Sequence, residues 1–328
     1  MKVVITGGGG FLGLKLAKAL LARGALATGE GAAAPLSKLV LLDAAFPGDM
    51  PADARLEVVN GDVSDAATLE RVLTPDTGSV FHLAAVVSGA AEADFDLGDR
   101  VNLEGTRRLL ERARRCARPP RLVFASSVAA FGGVLPAVLD DTTTPTPQTS
   151  YGTQKVIGEY LIADLSRKGF LDGRALRLPT IVVRPGKPNA AASSFASGII
   201  REPLNGIESG CPVAADTGVW LLSPKRVIEA FLHAHDLPAS AWPSTRTVNL
   251  PGITVSVAEM LDGLRRVAGD SVARRVKFAA DARIQAIVRT WPSRLTTPRA
   301  FAMGFRADPD IDTVIRDYIA DEKISVVT

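Results

Sequence analysis

Through the first half of the chain, short apolar runs alternate with stretches that carry an apolar position every three or four residues. Val3–Thr6, Leu39–Asp43, Leu56–Asn60, Ser79–Leu83 and Arg121–Ser126 have strand length and lie far below membrane-spanning length. Phe11–Arg23, Ala66–Leu73, Gly98–Cys116 and Ser150–Arg167 read as the intervening helices, with Leu12, Leu16, Leu20 and Leu21 marking the buried side of the first. Strands that are apolar on both faces and separated by helices predict an α/β fold with a doubly wound parallel sheet, not an alternating antiparallel one.

The second half is less regular. Gly29–Pro35 reads as a surface excursion, and Asp140–Pro147 as a loop that delivers the chain to the helix beginning near Ser150. After Val183 the pattern loosens: Arg184–Asn189 holds two prolines, Ala190–Ile200 is rich in small residues, and Gly206–Gly218 reads as irregular. Pro224–His235, Val257–Val267 and Asp310–Asp321 predict later helices, and Thr247–Leu250 a strand. The division expected is a domain over 1–180 and a smaller C-terminal α/β lobe over 181–328, with segments around 220–250 as candidates to return to the first sheet.

Composition changes this picture little. A chain of 328 residues, 47% hydrophobic, can bury a full core. Its two cysteines, Cys116 and Cys211, have no metal-like spacing, so a disulfide framework is not expected and a reducing cytoplasm is the natural setting. The opening MKVVIT runs straight into a strand and leaves no room for a secretion signal. A formal net charge of +3 is too small to point to nucleic acid or a membrane surface. The arginines at 107, 108, 112, 114, 115 and 118 are interrupted by Glu104 and Glu111 and read as a solvated face. His233 and His235, two apart on a helix, project differently and do not suggest a metal pair, and His82 is expected to pack beneath its strand. A small-molecule substrate fits best.

The strongest local motif is Thr6-Gly7-Gly8-Gly9-Gly10-Phe11-Leu12-Gly13. It follows a strand and opens a helix, with Gly7, Gly10 and Gly13 in a GxxGxxG spacing. The first glycine allows the tight turn, the second lets backbone approach a pyrophosphate, and the third lets helix and strand pack closely. The helix N-terminal amides, near Phe11 and Leu12, face the phosphate charge. This predicts a Rossmann dinucleotide-binding domain. Asp43, closing the second strand, should accept from the adenosine ribose hydroxyls and repel the extra phosphate of NADP, which makes NAD the expected cofactor; a turn or capping role for Asp43 stays open. Asp62 and Val63 after the third strand, and Leu83, Ala84 and Ala85 after the fourth, fall at strand ends where a cofactor passes.

Tyr151 and Lys155 form YxxxK on one face of a predicted helix. A free phenol ionises near about 10, and a neighbouring ammonium favours the phenolate, so Tyr151 can accept a hydroxyl proton near neutrality. Lys155 is also expected on the nicotinamide ribose. Ser126 and Ser127 end the fifth strand; Ser127 is the candidate to hydrogen-bond the reacting oxygen, and Ser126 either lines the cofactor or satisfies backbone. Asn102 either anchors Lys155 through a water or packs within its helix.

Six ordered segments, TGGGGFLG, GDV at 61–63, FHLAA at 81–85, VNLEGT at 101–106, FASSVAAFG and YGTQK, resemble the extended short-chain dehydrogenases/reductases, the NAD-dependent epimerase/dehydratase family, over essentially the whole chain. SYGTQK, the segment DGRALRLPTIVVRPGKPNAAASSFASGIIREPL and VNLPG are similar to a branch of that family whose members oxidise D-erythronate, a four-carbon sugar acid, at its C2 hydroxyl with NAD. The resemblance implies that Pro179 borders the nicotinamide and that Ser88 and Thr180 lie on the substrate side. It also implies a homodimer packed through the helices over Gly98–Cys116 and Ser150–Arg167. A carboxylate substrate needs a cation or convergent donors; Arg184 and Lys187 are the charged candidates, and Asn189, Ser193 and Ser194 the neutral ones. A packing role for Arg184 beside the prolines stays open. Fold and triad alone do not choose the reaction. A nucleotide-sugar epimerase or dehydratase, and an NAD-binding sensor without turnover, therefore stand as alternatives.

Overall fold

The computed structural model describes residues 1–28, 32–186 and 193–326. They form two compact units, one of Met1–Ala130, Thr149–Arg177 and Ile228–Val248, the other of Phe131–Gln148, Leu178–Val227 and Asn249–Thr328.

The first unit is built on seven strands: β1 (Lys2–Thr6), β2 (Lys38–Asp43), β3 (Leu56–Asn60), β4 (Thr77–His82), β5 (Arg121–Ser127), β6 (Asp172–Leu178) and β7 (Thr247–Asn249). They lie in the order β7-β6-β5-β4-β1-β2-β3. The pairs β1·β2, β1·β4, β2·β3 and β4·β5 are parallel, with Val4 opposite both Val40 and Val80. Every residue of β1 is buried, and so are Leu39 through Leu42. This two-sided burial is why these strands read as continuous apolar runs. Val4, Val40, Val80 and Leu122 share a core with Leu69, Leu109 and Ile162 from the covering helices. Each such side chain contributes about 1.5–3 kcal/mol on burial.

Four helices matter to the site: α1 (Phe11–Arg23), α2 (Ala66–Val72), α3 (Gly105–Ala113) and α4 (Ser150–Arg167). Along α1, Leu16, Leu20 and Leu21 are buried as their spacing predicts, while Leu12 is only half-buried. Gly24 ends it in the left-handed conformation, φ 70°, with its N–H on the Leu20 carbonyl. Of the excursion expected over Gly29–Pro35, residues 29–31 lie outside the described residues, and Ala33–Pro35 pairs antiparallel with Ala25–Ala27. The helix expected over Gly98–Cys116 is instead a short turn, Phe95–Gly98, then a π-helical stretch, Asp99–Glu104, then α3. In that stretch Gly105 N–H reaches back to the Arg100 carbonyl. Such a widened turn re-aims a side chain within an otherwise continuous helix.

The second unit has a three-stranded sheet in which Gly218–Leu222 pairs parallel with Thr180–Ile181 and antiparallel with Ile253–Ser256. Helices Ser194–Leu204, Val257–Ala268 and Ile311–Asp321 close a core that includes Ile199, Leu221, Met260, Leu264 and Ile315. Two readings from the chain need correction here. Gly206–Gly218 contains a strand, Ser209–Cys211, paired with Val276–Phe278. The loosened segment after residue 190 contains the helix Ser194–Leu204. That helix is buried on nearly every side, from Phe195 through Arg201. Among the described residues no helix is long and apolar enough to cross a membrane, and no cluster of His, Cys, Asp and Glu is arranged to hold a metal.

Candidate active site

The sheet order reverses between β1 and β4, and the crevice at the carboxyl ends of these strands is where ligands enter open α/β sheets. The glycine turn sits there. Gly7 has φ +73°, and a Cβ on it would approach the Ala84 nitrogen to 2.7 Å. A Cβ on Gly13 would fall on the Gly7 carbonyl oxygen, so only glycine lets α1 start this close to the turn. Gly10 differs: it caps α1 in an extended conformation, φ −74°, and a Cβ there would meet only the Gly7 oxygen, at 3.3 Å. A methyl there would ask the Gly7 carbonyl to give by a few tenths of an ångström, so the protein demands glycine less strictly at Gly10 than at Gly7 or Gly13.

Asp43, at the end of β2, braces the same turn. Its Oδ2 accepts from Gly9 N–H at 3.0 Å and its Oδ1 from Ala45 N–H at 3.5 Å. A carboxylate has about four acceptor positions, so a local turn role and a ribose-binding role are compatible. Asp62 accepts from the N–H and hydroxyl of Ser64, at 2.7 and 2.8 Å, and closes its own turn; Val63 beside it is buried. Leu83 N–H donates to the Thr6 carbonyl at 3.0 Å and Ala84 N–H to the Thr6 hydroxyl at 3.4 Å. Leu83 and Ala84 thus run alongside the glycine turn, with Ala85 next in the chain.

Helix α4 begins where Thr149 accepts from Gly152 N–H at 3.1 Å, which places Tyr151 in its first turn and Lys155 one turn on. The Lys155 Nζ lies 5.5 Å from the centre of the Tyr151 ring and 4.7 Å from that of Phe124, and donates to the Ala125 carbonyl at 2.8 Å. Burial pushes the Lys155 pKa down to about 7, against the pull of the Glu159 carboxylate. The half-buried Ser127, at the end of β5, accepts from Ala129 N–H at 3.1 Å. Ser126 turns its hydroxyl to Glu159, at 2.5 Å, which in turn pairs with Arg177 on β6 at 2.6 Å.

Asn102 projects from the π-helical stretch and is buried. Its amide accepts from Val86 N–H at 2.8 Å and donates to the Val86 carbonyl at 3.1 Å and to Gln154 at 2.9 Å. It therefore touches the residue preceding Lys155. His82 is fully buried and stacked on Phe124; its ring nitrogens meet the Thr6 hydroxyl at 2.6 Å and the Thr106 hydroxyl at 2.9 Å. Thr106 donates onward to the Asn102 carbonyl at 2.6 Å, so it accepts from His82 Nε2–H. Burial, with Lys155 nearby, lowers the His82 pKa to about 3 and keeps the ring neutral. Ser88 is half-buried at the start of a short helix, Ser88–Ala93.

The remaining candidates belong to the second unit. Pro179 is buried and Thr180 lies on the strand paired with Leu221. Arg184 donates through its backbone N–H to Ser197 at 3.0 Å and through its guanidinium to Ser193 at 2.7 Å, while Arg201 donates to the Arg184 carbonyl at 2.7 Å. Arg184 and Ser193 are thereby brought together, and Ser194 begins the adjoining helix. Lys187 and Asn189 lie outside the described residues.

Glu159, Arg177, Gln154 and Thr106 were not singled out from the chain. Glu159 had a visible signal, since it follows Lys155 by four residues on the same face of α4.

Residues 3–240 match the family described as the NAD dependent epimerase/dehydratase family. The chain belongs to this family. Its cofactor is NAD, and the residues fit that group: a glycine cradle without room for side chains at Gly7 and Gly13, a tight approach of Gly10 to the Gly7 carbonyl, and an acidic residue at the end of the second sheet strand. This family member is 55% identical over 321 residues to a D-erythronate dehydrogenase of Cupriavidus necator, covering 98% of each chain. It is 45% identical to a D-erythronate dehydrogenase of Haemophilus influenzae, covering 97% of this chain and 99% of the other. Among solved structures it is similar to a nucleoside-diphosphate-sugar epimerase from Agrobacterium tumefaciens, with 38% identity and a TM-score of 0.92 over 98% of this chain and 94% of that one.

Proposed function

We propose that this NAD-dependent oxidoreductase oxidises the C2 hydroxyl of a small sugar acid, D-erythronate, to 2-dehydro-D-erythronate. The observation that carries the substrate is the end-to-end likeness to two proteins named D-erythronate dehydrogenase, at 55% and 45% identity. In this reading Gly7, Gly10, Phe11, Leu12 and Gly13 hold the pyrophosphate, and Asp43 holds the adenosine ribose. Asp62, Val63, Leu83, Ala84, Ala85, Ser126 and Pro179 line the rest of the cofactor, mainly through backbone and apolar surface. NAD supplies the acceptor for the hydride that leaves C2.

The protein's own part is proton handling and orientation. Tyr151, as phenolate, takes the proton from the C2 hydroxyl, and the Lys155 ammonium beside its ring stabilises that phenolate. Ser127 donates a hydrogen bond to the same oxygen. Asn102 acts one step back, through Gln154 on the catalytic helix. Ser88 and Thr180 border the substrate, and Arg184, with Asn189, Ser193 and Ser194, receives its carboxylate and hydroxyls, a task suited to a planar guanidinium.

The test is a panel assay. With NAD, D-erythronate should produce reduced cofactor in stoichiometric amount, and Arg184→Gln should raise KM for the acid at least about tenfold, the loss of one charge-assisted contact. Epimerisation of a nucleotide sugar without net reduced cofactor, and no oxidation of any aldonic acid, would overturn the reading in favour of the relative from Agrobacterium. Binding of NAD with no turnover of either class would favour a sensor.

The protein is further proposed to be a cytoplasmic homodimer. Tyr160 and Ile157 on α4, and Phe95 nearby in sequence to α3, expose 66%, 36% and 62% of their surfaces, an apolar display that association would cover. Sedimentation should give a mass twice the 34.5 kDa of the chain, and Tyr160→Glu should shift it toward the monomer.

A further inference from the structure

Glu159 is a buried carboxylate that the proposed chemistry does not use. It is only 4% exposed and receives three polar hydrogens: the Ser126 hydroxyl at 2.5 Å, Arg177 Nε at 2.9 Å and Arg177 Nη2 at 2.6 Å. The three residues come from three elements, α4, β5 and β6. Burying such a group is costly unless its partners are in place, so its presence beside the catalytic pair needs a reason.

Its neighbours supply one. Ser126 lies between Ala125, whose carbonyl holds the Lys155 ammonium, and Ser127. The hydroxyl of Ser126 therefore fastens to α4 the strand end that carries both groups. Glu159 also stands one turn beyond Lys155 on the same helix face, and its carboxylate favours the Lys155 ammonium against its burial. Also around Lys155 are the Tyr151 ring from α4, the Phe124 ring from β5 and the His82 imidazole from β4, which burial keeps neutral. The Arg177 guanidinium from β6 is paired with Glu159 and offsets the charge of that carboxylate.

We infer that Glu159 is a positioning residue for the proton transfer, which with Ser126 and Arg177 locks the strand end to the catalytic helix and sustains the charge on Lys155. The inference rests on Lys155 acting with Tyr151 as proposed above, but its test does not depend on turnover. The charge part has a signature that simple loosening of the fold does not share. Removing the carboxylate and removing the guanidinium must move Lys155 in opposite directions.

The experiment is a pH titration of the Lys155 Nζ resonance in the full-length apoprotein, using isotope-labelled lysine, with Lys155→Met to assign the signal. Glu159→Gln should lower the midpoint by about one pH unit, a tenfold change in the protonation equilibrium. Arg177→Gln keeps the Ser126 contact, leaves the carboxylate unopposed, and should raise the midpoint. In the loaded enzyme the alkaline limb of the kcat profile should follow: to lower pH in the first variant, to higher pH in the second. Midpoints that stay put, or that move the same way in both variants, would overturn the inference. If Glu159→Gln does not fold, the direction in Arg177→Gln decides. A failure of D-erythronate turnover with the opposed shifts intact would count against the substrate reading and not against this role for Glu159.

Discussion

Tyr151→Phe should lower kcat with the sugar acid by about 100- to 10,000-fold, the usual worth of a positioned general base. NAD affinity should stay within a few-fold of the parent. The substitution removes one oxygen and leaves the ring against which the Lys155 ammonium is packed, and the hydrogen bond from Lys155 to the Ala125 carbonyl is untouched. Steady-state kinetics beside a direct NAD titration separates the two effects. Full turnover in this variant would contradict the proton-transfer role. A parallel collapse of NAD affinity would mean that the phenol oxygen serves binding more than chemistry.

The second large effect is expected at the glycine turn, where two single-methyl substitutions should behave differently. In Gly13→Ala the new Cβ would fall on the Gly7 carbonyl oxygen, within rigid backbone, so helix and strand must separate. Overpacking of this kind costs about 1–3 kcal/mol, and the displaced turn should lose NAD affinity by roughly tenfold or more. In Gly10→Ala the backbone conformation suits alanine and the methyl needs only a small shift of the Gly7 carbonyl 3.3 Å away, so the apoprotein should melt closer to the parent temperature than Gly13→Ala while NAD affinity still falls. Thermal melts with and without NAD distinguish the cases. If Gly10→Ala bound NAD normally, the space at the helix N-terminus would not be where the pyrophosphate lies.

Several features of this site were legible in the chain because they are written over short distances. The glycine spacing reports a turn and a close approach between neighbours in sequence, and the structure gives Gly7 and Gly13 those contacts. The YxxxK interval is one helical turn, and α4 brings Tyr151 and Lys155 together. Less legible were residues whose partners lie far along the chain. Ser126 reads equally as a cofactor neighbour or a strand-end serine; its hydrogen bond to Glu159, from a different element, cannot be seen by counting residues. The helix Ser194–Leu204 belongs with these, since its Ser197 and Arg201 are buried through hydrogen bonds with Arg184, outside the helix.

The chain alone determined the parallel sheet, the glycine turn and the spacing of Tyr151 and Lys155, since each follows from backbone geometry and hydrophobic period within one strand or helix. Only the tertiary structure decided the surroundings of those groups. It set Gly9 N–H on the Asp43 carboxylate, closed the chain from His82 through Thr106 to Asn102, and placed Glu159 against Arg177. Those contacts join strands and helices distant in sequence, and their strength depends on burial that exists only once the sheet has assembled.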